Sequence, residues 1–207
     1  YASQVITKRP SWGFLTVLDI LLHNLSLGLY LVTTLGLILA PAAFQTLTIF
    51  AYPLALLLLV IDLLLLVSDL GDFWRFHHML RVIKPTSPMS VGTWSLTFYG
   101  MSLALPAVMG VLAWPIFGGV RQLIPAQLWS VLTLLATTLA VLGLIPAMGA
   151  VLYKGVLFSA TSQPGWKDAR WFPGYIANSA VLLGCALLLV IAAIAGQSEA
   201  ATVLRGA

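Results

Sequence analysis

Residues 42–67 read AAFQTLTIFAYPLALLLLVIDLLLLV, and Asp62 is their only charged side chain. Crossing a hydrocarbon layer about 30 Å thick takes about 20 predominantly apolar residues in helical form, and this run exceeds that length. It reads as a membrane-spanning helix. Composition extends the reading to the whole chain. Of its residues 60% are hydrophobic and 8% charged, whereas about a quarter are charged in soluble domains. The expected fold is an all-α, polytopic helical bundle forming a single transmembrane domain.

Working outward from this run, apolar stretches bounded by polar or Pro/Gly punctuation predict five spans, at residues 13–39, 42–67, 91–117, 127–151 and 175–195. In 207 residues they leave no room for a soluble domain. Pro53, Pro106 and Pro146 fall inside spans. Bilayer helices tolerate this where neighbouring helices or hydroxyl side chains satisfy the freed carbonyls, and kinks are expected there. Trp12, Trp74, Trp94, Trp114, Trp129, Trp166 and Trp171 all lie near predicted span ends, at the depth where amphipathic rings settle. Cys185 stands alone in an apolar run and is expected to be a small packed residue. The chain opens on Tyr1 and shows no stretch with the form of a cleaved signal peptide.

Basic residues give the sidedness. Lys8, Arg9, Arg75, Arg81, Lys84, Lys154, Lys167 and Arg170 fall on one predicted side, Arg121 and Arg205 on the other, eight against two. The positive-inside rule then places the N-terminus and the polar loops 68–90 and 152–174 in the cytoplasm. The formal charge of +4 resides in membrane-flanking loops and implies no nucleic-acid partner.

Polar groups inside the spans need an account, because each charge costs about 2.5–3.5 kcal/mol on insertion scales. Asp19, His23 and Ser26 share a face of the first span, and Asn24 lies about 100° round from His23. Asp62 and Asp69 share a face of the second span, with Asp69 near the surface and Asp62 about two turns deeper. Either set could be a ligand or proton site, or a hydrogen-bonded cluster that only holds helices together. Asp69 ranks above Asp62 for function because it can meet a ligand entering from the headgroup region. Only His23 of the three histidines lies in a span, so a b-type haem is not expected. Without clustered thiolates or carboxylates, neither is a metal site.

Between the second and third spans, Asp72, Arg75, His78 and Arg81 recur at three-residue spacing. This predicts a short interfacial helix with a polar stripe, suited to headgroup anchoring or partner docking. Arg75 can pair with Asp69 or Asp72. Ser87 or Ser90 can cap the third span, with Pro88 in its first turn.

The order DLGDFWRFHHML (69–80), SPMSVGTW (87–94), YKGVLFSATSQPGW (153–166) and GYIANSAVLLGCAL (174–187) resembles the polysulfide reductase membrane-subunit family, also called NrfD-like. The resemblance runs from the first span to the fifth. It implies a haem-free, quinone-interacting membrane anchor whose first four helices form the quinone-binding bundle. It also implies a ferredoxin-like iron–sulfur partner and, beyond it, a catalytic subunit, often a molybdopterin one. The substrate would be menaquinone or ubiquinone, and the location a bacterial or archaeal cytoplasmic membrane. By the same resemblance His23, Asn24, Asp69 and Tyr153 match quinone-site positions; on chemical grounds His23 and Asp69 are the candidate catalytic, proton-exchanging groups, and Arg75, able to pair with Asp69, is a further candidate at the site. Where Asp72 and Lys154 stand, the family often has Pro and Ser or Thr, so contacts with the partner are expected to differ. Members usually have eight or more spans in two bundles, so this sequence corresponds to a portion of such a protein or to a shortened relative. Many relatives dock the iron–sulfur subunit on the outer face, in tension with the charge count.

Physical chemistry agrees with a quinone site. Two carbonyl oxygens need donors, and two-electron reduction takes up two protons, so donors and an exchangeable acid belong together. Without haem, the quinone must sit near the external cluster, and pocket and docking loop should share a side. The competing readings are a proton or solute translocator using Asp19, His23, Asp62 and Asp69, and a purely structural anchor. No internal repeat of the kind transporters show is evident.

Overall fold

The computed structural model describes residues 13–70, 72–161, 166, 167 and 169–206. Trp12, Lys8, Arg9, the Gly of Asp-Leu-Gly and the Pro of Pro-x-Trp lie outside the described residues.

The described residues fold as helices α1 (Phe14–Leu39), α2 (Pro41–Ser68), α3 (Pro88–Leu112), α4 (Gly118–Gln122), α5 (Ala126–Leu142), α6 (Leu144–Ser159), α7 (Phe172–Ile194) and α8 (Ser198–Gly206), with 3₁₀ turns at Phe73–Leu80 and Pro115–Phe117. Five segments are long and apolar enough to cross a membrane, α5 and α6 together making one of them. The helical membrane bundle expected from the sequence is what forms. Leu57, Leu64, Met101, Leu134 and Leu182 point outward, as lipid-facing side chains do.

Helix α1 is central. It packs against α2, α6 and α7, while α3 packs against α2, α5 and α6. Small residues set the closest approach: a Cβ on Gly28 would strike the Ala180 carbonyl of α7, and one on Gly184 would strike Gly28 in return. Without a hydrophobic driving force between helices in lipid, such backbone contact supplies the packing energy.

The interior prolines are accommodated individually. Helix α2 runs through Pro53, which leaves the Ile49 carbonyl without its helical donor. The Trp114 indole Nε1 donates to that oxygen at 3.1 Å, and the Pro53 ring fits against Gly110 of α3. Helix α3 continues through Pro106. The fourth span instead breaks at Gly143, three residues before Pro146, so that Pro146 falls in a first turn where its missing N–H costs nothing. The Tyr30 hydroxyl crosses to this break and donates to the Ala140 carbonyl at 2.5 Å.

Several boundaries differ from expectation: the third span ends at Leu112 and not at 117, the fifth starts at Phe172 and not at 175, and two further differences bear on the site. The third span starts at Pro88, capped by Ser87, whose side chain accepts from the Ser90 amide at 3.5 Å. Ser90 in turn ties down the preceding loop, accepting from the Lys84 amide at 2.9 Å and donating to the Val82 carbonyl at 3.2 Å. The fourth span runs on to Ser159, so Tyr153 and Lys154 belong to a helix and not to the 152–174 loop. Lys154 is 3% exposed. Removing it from the loop cations leaves seven against two, which keeps the direction of the charge asymmetry.

Phe73–Leu80 folds as a 3₁₀ helix with Asp72 and Arg81 flanking it, Asp72 paired to Arg75 and Arg81 in contact with His78. With three residues per turn, positions three apart eclipse, which aligns Asp72, Arg75, His78 and Arg81 in one row. Phe76 and Met79 form another row, facing an apolar groove against α2 and α3.

Candidate functional site

Asp19, His23, Asp62 and Lys154 meet inside the bundle. Asp19 lies five residues into α1, Asp62 six residues before the end of α2, and Lys154 five before the end of α6. At about 1.5 Å per residue they sit roughly 8–9 Å inside those helix ends. The site and the 73–80 turn are therefore at the same end of the molecule.

Lys154 Nζ donates to Asp19 Oδ2 at 2.8 Å, to Asp62 Oδ1 at 3.3 Å and to the Asp19 carbonyl at 3.5 Å. His23 is fully buried, with Nε2 at 2.8 Å from the Ala150 carbonyl and Nδ1 at 3.0 Å from Asp62 Oδ2. A carbonyl only accepts, so Nε2 carries a hydrogen. A carboxylate and a bare imidazole nitrogen both accept, so the Nδ1–Oδ2 contact requires one further proton between them, on either atom. With Lys154 as ammonium and Asp19 ionised, that shared proton makes the cluster neutral, as a low-dielectric interior demands. One proton gained or lost would leave a net charge inside the bundle. The arrangement can hold and pass a single proton.

Tyr153 joins the cluster through its ring, edge-on to His23 at 5.7 Å between centroids. The ring occupies the space beside Gly92 of α3, where any Cβ would overlap it. The glycine of SPMSVGTW thus makes room for the tyrosine of YKG, and Gly155 next to it lets the backbone of Pro173 in α7 come close. Asp19 Oδ1 and Asn24 Oδ1 are buried acceptors with no donor among the described residues.

Of the residues singled out from sequence, the structure brings His23 and Tyr153 together and buries Asn24 on α1. Asp69 caps the end of α2 and is exposed, away from the cluster. Arg75 pairs with Asp72, Nε to Oδ2 at 3.0 Å, both side chains more than half exposed. This is the solvated alternative and does not reach Asp69. Sequence reasoning underrated Asp62 and missed Lys154 as a site residue. The available signal was charge balance. Two acids within spans call for a cation at similar depth, and Lys154, flanked by apolar residues, was the one at hand.

Deeper in the bundle, Ser26 Oγ donates to the Ala55 carbonyl at 2.8 Å and meets the Tyr99 hydroxyl at 2.9 Å. The Tyr30 ring packs edge-on to Tyr99 at 5.0 Å, but its hydroxyl turns away to Ala140. Between Tyr99 and the Tyr52–Thr34 hydroxyl pair, 3.2 Å apart, the contacts among the described residues run through rings.

The family profile described as polysulphide reductase, NrfD, matches residues 4–205, nearly the whole chain. A search of curated proteins finds no match.

Proposed function

Since the chain belongs to the NrfD polysulphide reductase family, membrane subunits of respiratory oxidoreductase complexes, we propose that it is the haem-free, quinone-reactive subunit of such a complex. The observation that carries this is the buried cluster of Asp19, Lys154, Asp62 and His23, whose His23–Asp62 contact calls for a shared proton, about two turns below the surface that bears the 73–80 turn. Quinone chemistry couples electrons to protons, so a substrate pocket needs a group that can hold a proton inside the membrane and pass it on, the charge left behind being balanced as the quinone changes redox state.

The residues present fit the substrate. Asp19 Oδ1 and Asn24 Oδ1, buried without donors, suit the O–H groups of a hydroquinone, and the Tyr153 hydroxyl can donate to a quinone carbonyl. His23 uses both ring nitrogens within the protein, so its role is to hold the proton against Asp62. Asp69, exposed at the end of α2, serves as the surface group that exchanges protons with water. Menaquinone and ubiquinone meet the same requirements. The 73–80 turn, amphipathic and at the cluster's end, is the docking surface for a ferredoxin-like iron–sulfur subunit, with a molybdopterin-type catalytic subunit beyond it. The charge asymmetry supports a cytoplasmic position for this end in a bacterial or archaeal inner membrane.

The test is quinol-linked electron transfer in the assembled complex. His23→Gln and Asp62→Asn should lower turnover about 10²-fold or more, the usual worth of a positioned acid or base, while Asp69→Asn should slow it less. Unchanged turnover in a normally assembled Asp62→Asn complex overturns the proposal. A collapse in Asp69→Asn alone would move the proton exchange to the surface residue.

A further inference from the structure

At the end of the molecule opposite the cluster, the α1–α2 turn, the C-terminal part of α3 and the first half of α5 enclose a cavity of about 510 Å³. Its mouth carries Arg121 of α4, whose guanidinium carbon lies 4.8 Å from the centroid of the Trp129 ring. Among the described residues Arg121 forms no ion pair with a carboxylate. The walls below are formed by Ile49, Tyr52, Pro106, Met109 and Ala136. The Thr48 and Thr133 hydroxyls, also in the lining, already donate to backbone carbonyls of their own helices. From Gln45 to Tyr52, or from Trp129 to Thr137, the slot runs about 10–12 Å along the helix axes.

A cation at the mouth above an apolar slot is the chemistry of an anionic amphiphile. Arg presents a planar fork that matches phosphate oxygens two at a time. Stacking on Trp129 fixes that fork at the level where indole rings settle between headgroups and acyl chains. A neutral amphiphile would fill the slot and leave the guanidinium without an anion, whereas a free anion would leave the slot empty. We propose that this cavity binds one anionic phospholipid of the adjoining leaflet, its phosphate on Arg121 and the first part of an acyl chain between α2, α3 and α5. A lipid so placed bridges α2, α3 and α5, adding to the Pro53–Gly110 and Trp114–Ile49 contacts between α2 and α3 at this end, and stabilises the bundle by mass action.

Native mass spectrometry of the full chain, released from detergent with phosphatidylglycerol or phosphatidylcholine of the same acyl chains, reads the site directly. The expected result is one phosphatidylglycerol retained, with about tenfold preference over phosphatidylcholine, each tenfold being about 1.4 kcal/mol. Arg121→Gln should erase the preference and Arg121→Lys should restore part of it. Thr133→Trp, one helical turn along α5 from Trp129, fills the slot while keeping Arg121 itself, and should lose both lipids. Quinol-linked turnover should be unchanged in all three, since they lie at the far end from the cluster. Equal phosphatidylglycerol retention by the wild type and Arg121→Gln overturns the proposal. So does stabilisation by inorganic phosphate alone that depends on Arg121 but is indifferent to Thr133→Trp, which would mark a site for free anions.

Discussion

Replacing Lys154 with Met keeps the length and apolar stem of the side chain and removes the only ammonium in the buried cluster. In the native arrangement that ammonium, 3% exposed, neutralises Asp19 at 2.8 Å and supports Asp62 at 3.3 Å. Without it two carboxylates share the interior with one imidazole, and one negative charge is left uncompensated. Breaking a buried pair by removing one partner costs about 3–5 kcal/mol, a loss in the folding equilibrium of about 10²-fold to several thousand-fold. The double variant Lys154→Met/Asp19→Asn removes the pair as a neutral unit and leaves His23 and Asp62 with their shared proton. Replacing a whole buried ion pair by neutral groups is often nearly free, so the double variant should recover most of the loss. The coupling energy of the cycle should be about 2 kcal/mol or more. The assay is equilibrium unfolding in mixed micelles by increasing sodium dodecyl sulfate, followed by helical circular dichroism for the wild type, both single variants and the double. Additive losses would show that Lys154 and Asp19 do not compensate each other, and the neutral-cluster reasoning would fail.

Gly92→Val places a side chain where the Tyr153 ring lies. A destabilisation of about 1–3 kcal/mol is expected from overpacking, together with lower quinol-linked turnover, and normal values for both would refute the contact. Trp114→Phe strips the donor from the Ile49 carbonyl that Pro53 leaves unpaired. A loss of about 1–3 kcal/mol in the same micelle titration is expected, and it should vanish when Pro53→Ala restores the helical donor. Arg75→Gln breaks a pair whose side chains are 76% and 54% exposed. It should change stability by less than about 1 kcal/mol, yet reduce co-purification of the iron–sulfur subunit if the 73–80 turn is its docking surface.

The sequence by itself determined the class and the number of spans, because hydrocarbon thickness sets helix length and leaves few residues free to be polar. The run at 42–67 became α2 almost to the residue. The period of three in Asp72, Arg75, His78 and Arg81 became a 3₁₀ row, since local spacing is enough to specify a local helix. Family motifs were legible too, but not what they do mechanically: that Gly92 clears space for Tyr153, or that Ser90 ties the loop to α3, is decided between elements. The candidate site was only half legible. His23 and Asp19 stood out as polar residues in an apolar run, while Lys154 looked like a loop cation because nothing local marks where α6 ends. Only the tertiary structure decided that it turns inward, and for an electrostatic reason. Two acids from α1 and α2 arrive at the same depth, and the lysine of α6 is the cation that lets them stay there.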